Sequence, residues 1–152
     1  MTGTSKTTAS LKVTLDSWES LFRAQVAVMR KISAMEEFNS LSMREYDVLF
    51  NLRFCPGGRS RLVDLNQNLL ISQPSLSRMV TRLEDKGLIT RESDPDDHRA
   101  LLLSLTEKGL ALQQEIGRQH AKHLHELLGD AMSEEEFREM QRLTGKLREA
   151  VA

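Results

Sequence analysis

Arginine and hydroxyl side chains are concentrated in residues 72–99, where their spacing could support recognition of an anionic partner. If residues 72–86 form a helix, one side of it is apolar and centred on Leu76, whereas the other carries short hydroxyls and two arginines. A guanidinium can bond both acceptors of a guanine edge in the DNA major groove, and hydroxyl groups can donate to phosphate oxygens. The predicted DNA contacts on this helix are Ser72, Pro74, Ser75, Ser77, Arg78, Thr81 and Arg82.

The two arginines of this helix are predicted to make different contacts. Arg78 lies near the centre of the outward side, so we expect it to reach a base edge. Arg82 follows one turn later, towards the flank, so we expect it to reach a phosphate. For the helix taken alone, an equally simple interpretation is that Ser, Thr and Arg only keep an exposed surface solvated.

Residues 93–109, SDPDDHRALLLSLTEKG, place four carboxylates around Arg99. The Asp-Pro-Asp-Asp run is typical of a turn, and the flanking LITRES and RALLLSL are rich in strand-forming residues, so a β-hairpin is predicted. A lone guanidinium on such a turn suits a narrow groove with a strongly negative potential. The surrounding acids would discourage loose binding to any phosphate backbone.

A short helix is predicted before these segments, at residues 61–70, with Asn68 near its end. Ser72 is the predicted N-cap of the next helix, Pro74 lies in its first turn, and Gly87 ends it. The order of helix, turn, helix and hairpin predicts a winged helix-turn-helix lobe over residues 59–105.

Four predicted helices and a tail account for the rest of the chain. Apolar residues recur on more than one side of residues 11–38, which predicts cover from a second subunit. Capping signatures at Ser42, Thr106 and Ser133 predict helices over 43–54, 107–128 and 134–150. We therefore expect a mainly α fold with a small β-hairpin wing: a flexible tail at 1–10 and a single domain at 11–152, in which 11–38 and 107–152 are dimerisation helices.

Composition narrows the class of protein. The chain has 152 residues, a net charge of −1 and one cysteine, and it has no apolar run long enough to span a membrane. The polar N-terminus lacks the apolar segment of a signal peptide, so a cytoplasmic location without membrane contact is expected. No glycine-rich phosphate loop or catalytic triad spacing is recognisable, so neither an enzyme nor a cofactor is predicted.

The stretch LISQPSLSRMVTRLEDKGLITRESDPDDHRALLLSLTEKG (70–109) resembles the MarR family of bacterial transcriptional regulators. Within it, DHR at 97–99, LT at 105–106 and KG at 108–109 look like the wing signature of that family. The resemblance implies a homodimeric repressor that binds a pseudo-palindromic operator, with Arg99 in the minor groove and Asp97 holding that arginine in place. One departure is Val63, because family members often have a serine or threonine that caps the short helix there.

The resemblance also implies a small aromatic or amphipathic effector, bound between the dimerisation helices and the DNA-binding lobe. The candidate ligand-binding residues are Trp18, Phe22, Met43 and Tyr46, all of which could instead be core residues. Two other sensing devices stay open at this stage. His120 and His123 share a helical side and could bind a metal, and the Cys55 thiol lies between Arg53 and Arg59 and could sense oxidants.

The alternative function is a winged helix used for protein–protein contact or dimerisation, without sequence-specific DNA binding. Arg78, Arg82 and Arg99 on one side of the lobe favour DNA.

Overall fold

A computed structural model describes residues 8–67, 69 and 71–152 of the chain. Short 3-10 turns occur at Glu36–Phe38 and Pro56–Gly58. The helices and strands are α1 (Leu11–Ile32), α2 (Met43–Phe54), β1 (Arg59–Arg61), α3 (Leu62–Gln67), α4 (Gln73–Asp85), β2 (Ile89–Ser93), β3 (Leu101–Leu105), α5 (Glu107–Leu128) and α6 (Glu134–Val151). The predicted fold class, mainly α with a small β wing, is confirmed. No helix in the described part of the chain is both long enough and apolar enough to cross a membrane.

The chain divides into two compact units, Met1–Glu36 and Glu37–Ala152. Helix α1 forms most of the first unit and is capped by Ser10, whose hydroxyl accepts the N–H of Val13. The prediction that this helix continues to residue 38 is wrong, since it ends at Ile32. The chain leaves the helix because residues 37 and 38 are buried in the second unit, where the Phe38 ring packs edge-on against Tyr46.

The core of the second unit is made where the helix-turn-helix meets α2. Leu65 of α3 and Leu76 and Leu83 of α4 are fully buried, as are Leu49 and Leu52 of α2. Burying a leucine side chain contributes about 1.5–3 kcal/mol, so this layer is a major part of the stability of the unit. The predicted apolar side of α4 is confirmed, because its members are all nearly inaccessible: Leu76, Met79, Val80 and Leu83.

The wing is a three-stranded antiparallel sheet in the order β1-β3-β2. Leu103 of the central strand pairs with Ser60 on one side and with Arg91 on the other, and it is fully buried. The predicted hairpin is therefore present, but strand β1 was not predicted. A helix was expected from residue 61, whereas α3 begins at Leu62 because Arg61 is hydrogen-bonded into the sheet. The expected end of that helix includes residues 68 and 70, which lie outside the described residues, so the left-handed Asn68 stays a prediction.

The remaining predicted helices agree with the structure. Helix α2 begins at the capping box of Ser42 and Glu45, and α6 begins at the equivalent box of Ser133 and Glu136. Thr106 caps α5 by accepting the N–H of Gly109 at 3.0 Å. Such caps satisfy backbone donors that a helix leaves unpaired at its start.

The start of α5 is bonded directly to the loop that ends α4. The Thr106 hydroxyl donates to the carbonyl of Gly87 at 2.8 Å, and the Lys108 ammonium donates to the carbonyl of Lys86 at 2.7 Å. Gly109 lies so close that a Cβ added there would be 2.0 Å from the carbonyl oxygen of Leu88. We call this contact the α4–α5 junction, meaning residues 86–88 against 106–109. It allows only glycine at position 109.

Replacing Gly109 by alanine should destabilise the protein, because the new methyl group overlaps backbone that cannot rotate away. We expect a loss of about 3 kcal/mol or more of unfolding free energy, measured by urea denaturation. Gly145→Ala is the matched control. Nothing lies within 4 Å of a Cβ at that half-buried helical position, so alanine should stabilise the protein by about 0.5–1 kcal/mol. Equal stabilities of the two variants would contradict this account of the junction.

Candidate nucleic-acid interface

Helix α4 exposes the side that was predicted to face DNA. Of the predicted contacts, Ser75 is half-buried and the others are exposed: Ser72, Pro74, Ser77, Arg78, Thr81 and Arg82. The Ser72 hydroxyl accepts the N–H of Ser75, and Pro74 occupies the first turn, as predicted. No acidic side chain occurs between residues 72 and 83. The helix therefore presents cations, hydroxyls and its positive N-terminus on one open surface.

Some hydroxyls of this surface already have partners within the helix. Ser75 Oγ accepts from the Ser72 hydroxyl at 2.9 Å and from Arg78 Nη2 at 3.3 Å, so it holds the arginine along the helix. The Thr81 hydroxyl donates to the carbonyl of Ser77 at 3.1 Å. In this rotamer the Thr81 oxygen can only accept further hydrogen bonds, so a phosphate contact from it needs a side-chain rotation.

Arg82 is tied to helix α2. Its Nε donates to Glu45 Oε1 at 3.1 Å, and Lys86 Nζ lies 3.5 Å from Glu45 Oε2. Burial acts to raise the pKa of Glu45, but hydrogen bonds from Arg82 and the Ser42 N–H, with the charge of Lys86, outweigh it and hold that pKa below its ordinary value. The sequence identified Glu45 only as a helix cap. Its role as partner of the recognition helix joins residues 37 positions apart, which no local pattern indicates.

The wing is anchored by an ion pair that the sequence did not reveal. Arg61 Nε on β1 lies 2.5 Å from Asp94 Oδ2, and the other oxygen of Asp94 accepts the N–H of Asp96 at 2.8 Å. The N–H of Asp96 and the Arg61 guanidinium together hold the pKa of Asp94 below its ordinary value. Asp94 is buried, so this acid of the turn acts inside the protein and does not face a partner.

Asp97 and Arg99 lie at the exposed tip of the turn. Asp97 Oδ1 accepts the backbone N–H of Arg99 at 3.1 Å, and the Asp97 carbonyl accepts the N–H of Ala100 at 2.8 Å. The carboxylate thus shapes the backbone that carries Arg99, whereas the family resemblance implied that it would hold the side chain. Two of the four acids around Arg99, namely Asp94 and Asp97, therefore accept backbone N–H groups of the turn and stabilise it. This structural role explains why the segment is so acidic.

Comparisons with known proteins agree with this geometry. A model of the MarR family matches residues 41–101, from the last residue before the α2 cap to the start of β3. This range contains the helix-turn-helix and the turn that carries Arg99. The chain is therefore similar to MarR family proteins over its helix-turn-helix and the turn of its wing.

Solved structures of MarR family regulators share its architecture. MarR of E. coli is 27% identical to this chain and superposes on it with a TM-score of 0.69. The match includes 84% of this chain and 96% of the E. coli protein. Sco3205 of Streptomyces coelicolor, solved in complex with DNA, is 20% identical over 97% of this chain and 92% of its own, with a TM-score of 0.77. The organohalide-sensing regulator RdhR-CbdbA1625, bound to 2,4-dichlorophenol, is 20% identical, with a TM-score of 0.72. Its match includes 99% of this chain and 89% of the regulator.

A groove of about 510 Å³ lies between α2 and α5. It is lined by Tyr46, Phe50, Arg53, Gln113, Gln114, Gly117, Arg118 and Ala121. Along its wall, Arg53 Nη1 donates to Gln113 Oε1 at 2.8 Å, and Gln113 Nε2 donates to the Tyr46 hydroxyl at 3.3 Å. Two cations and two aromatic rings therefore surround one open space.

Of the four candidate ligand-binding residues, Tyr46 lines this groove. Met43 is half-buried on α2, outside the groove lining. Trp18 and Phe22 lie on α1, where their rings stack 6.5 Å apart and both remain more than half exposed. Most of the groove-lining residues that were not predicted from the sequence lie on α5. The glutamines and the arginine among them have no local pattern that distinguishes them from ordinary helix surface.

The two other possible sensors have internal partners. His123 Nδ1 lies 2.7 Å from Glu37 Oε2 and His120 Nδ1 lies 3.4 Å from Glu37 Oε1, with the carboxylate fully buried. Within the described residues, no three His, Cys, Asp or Glu side chains are grouped so as to hold a metal ion. The Cys55 thiol is half-buried and donates to the carbonyl of Asn51 at 3.2 Å.

Replacing Asp94 by asparagine should loosen the wing, because the neutral amide cannot form the ion pair with Arg61. We expect faster hydrogen exchange at the Asp96 amide, with the helices unchanged. The low pKa of Asp94 means that in the wild type its contribution is present above the unfolded pKa of about 3.9 and is lost as pH falls through the lower folded value. Protection at Asp96 should therefore persist to pH 4 in the wild type.

Asp96→Asn is the control for this change, since it removes one charge from the same turn while leaving the Arg61–Asp94 pair in place. If both variants exchange at the same rate, the ion pair does not anchor the wing.

Proposed function

We propose that this chain is a MarR family protein, a homodimeric repressor that binds operator DNA and is released by a small effector. The observation that carries the proposal is the exposed side of α4, where Arg78 lies among hydroxyls with no acid nearby, beside a wing that presents Arg99 at its tip. The family is one of transcriptional regulators, and Sco3205 was solved with DNA. A bacterial regulator of this kind acts in the cytoplasm, where the DNA lies, and it needs no catalytic activity.

Unpaired apolar surfaces on the terminal helices support a homodimer. Helix α6 has no buried residue, although apolar side chains recur along it at helical spacing. They are Met140, Leu143, Leu147 and Val151. Helix α1 likewise exposes Leu15, Trp18 and Phe22. An amphipathic helix gains stability by burying its apolar side, and a second copy of the chain would supply that cover.

A two-fold dimer presents two recognition helices to DNA. We expect half-sites about one helical turn apart, hence a pseudo-palindromic operator. In each half-site Arg78 reads a base edge and Arg99 enters the minor groove. Arg82 can still contact a phosphate, but only through its η nitrogens, because its Nε is bonded to Glu45.

The groove between α2 and α5 supports an aromatic, anionic effector. Phe50 and Tyr46 offer aromatic surface, and Arg53 and Arg118 offer positive charge. An aromatic carboxylate would satisfy both, since its ring would stack and its carboxylate would pair with a guanidinium. The groove adjoins α2, which also carries the Glu45 partner of the recognition helix.

Selection from a random duplex library should recover a sequence with two-fold related half-sites. Arg78→Ala should weaken binding to that sequence by about 1–3 kcal/mol and relax the preference at one base pair per half-site. Arg99→Ala should cost a similar amount while leaving the melting temperature nearly unchanged, because the residue lies in an exposed turn. Affinities and preferences are measured by fluorescence anisotropy on systematically mutated duplexes.

Arg138→Ala is the control for these variants, because it removes an exposed arginine that pairs with Glu134 on α6 and is not among the predicted DNA contacts. Failure of the wild type to enrich any sequence would contradict the proposed function and favour the alternative of a winged helix used for protein contact.

Effector binding is tested with one- and two-ring aromatic carboxylates, each paired with its neutral amide. An acid that binds should raise the melting temperature, by the equivalent of about 2.7 kcal/mol at a hundredfold excess over Kd, and should weaken operator binding. The amide should do neither. Arg118→Gln should abolish the shift and Arg138→Gln should preserve it; a shift that survives in Arg118→Gln would place the ligand elsewhere.

A further inference from the structure

Glu45 stands where two parts of the lobe meet. Its carboxylate closes the capping box of α2 by accepting the Ser42 N–H at 3.1 Å. The same carboxylate, in a residue only 6% exposed, accepts from Arg82 and lies near the ammonium of Lys86. One buried anion therefore fixes a helix start and holds two cations from the end of the recognition helix.

These contacts divide the cations of the recognition helix into two groups. Arg82 and Lys86 share a carboxylate, so much of their charge is compensated inside the protein. Arg78 has only the neutral Ser75 hydroxyl as its side-chain partner among the described residues. The least compensated charge on the outward side thus belongs to the residue that we expect to read a base.

We propose that Glu45 is a specificity-determining residue, which restrains Arg82 and Lys86 against α2 so that they cannot bind phosphates of any sequence indiscriminately. This inference rests on the proposed function, because it concerns the contrast between operator and other DNA. Phosphate contacts strengthen binding to every sequence alike, whereas base contacts discriminate between sequences. A restrained Arg82 keeps one orientation. That orientation strengthens binding only on a duplex where the base contacts have already set the register of the helix, so that a phosphate lies within reach of Arg82.

Glu45→Gln separates the charge of this residue from its capping role. Glutamine also serves in a capping box, so its amide oxygen can still accept the Ser42 N–H. The variant loses the negative charge that restrains the two cations. Arg82 and Lys86 then become mobile and adapt to phosphates on any duplex, while Arg82 loses its fixed orientation in the operator complex.

Glu136→Gln is the matched control. Glu136 closes the equivalent capping box of α6, through Ser133 N–H at 2.8 Å, and it makes no ion pair within the described residues. The substitution, the change in net charge and the local hydrogen bond are the same in both variants. Only Glu45→Gln acts on the recognition helix.

The experiment measures the affinity of wild type and both variants for the selected operator and for a scrambled duplex, across a salt series. For Glu45→Gln we expect scrambled-DNA affinity to rise about three- to tenfold, with a salt slope steeper by about one to two per subunit. Operator affinity should not rise in proportion, so the ratio of the two affinities falls. Glu136→Gln should match the wild type in that ratio.

Three outcomes would overturn the inference. Glu45→Gln could behave like Glu136→Gln, it could strengthen binding to both duplexes equally, or it could weaken both equally with a lower melting temperature, as a purely structural residue would. Failure of the proposed function looks different, because the wild type itself would then bind operator and scrambled duplexes alike.

Discussion

The geometry of the DNA-binding lobe depends on the α4–α5 junction. Recognition helix α4 ends at Asp85, Lys86 is its C-cap, and Gly87 turns the chain with a φ of 71°. The carbonyls of Lys86, Gly87 and Leu88 accept hydrogen bonds from the cap and first turn of α5. The Leu88 carbonyl oxygen, which accepts the Thr106 N–H at 3.1 Å, also lies against Gly109. Because every one of these contacts involves the backbone of residues 86–88, the recognition helix, strand β2 and α5 hold a defined geometry relative to one another. Thr106, Lys108 and Gly109, which belong to the wing signature, each make one of these contacts.

Buried carboxylates set the electrostatics of the same lobe. Asp94 pairs with Arg61 under the wing, and Glu45 pairs with Arg82 beside the recognition helix. Each anion is hydrogen-bonded by backbone N–H groups as well, so its charge is stabilised without full hydration. The nearly neutral net charge of the chain therefore conceals an ordered arrangement, in which acids restrain some arginines and leave Arg78 and Arg99 exposed.

Periodicity and capping residues predicted the parts of the fold that depend on local sequence. The two sides of α4, the starts of α2, α5 and α6, and the hairpin all follow from patterns within a few residues. Long-range contacts decided the rest. Helix α1 ends early because Glu37 meets histidines of α5, and β1 exists only because it pairs with β3. The groove could not be predicted from the sequence for the same reason, since its two walls come from helices that are far apart in the chain.

The outward side of α4 also bears on how such a regulator can evolve. The leucines that pack the helix against the core lie on its buried side, and its cap lies at the first turn. Ser77 and Thr81 contribute little to the core, so other residues at these positions should change the fold by only a few tenths of a kcal/mol. Arg82 is different, because its exchange would also leave Glu45 without its closest cation. The helix thus separates positions that are free to acquire a new operator preference from one that is held by the rest of the protein.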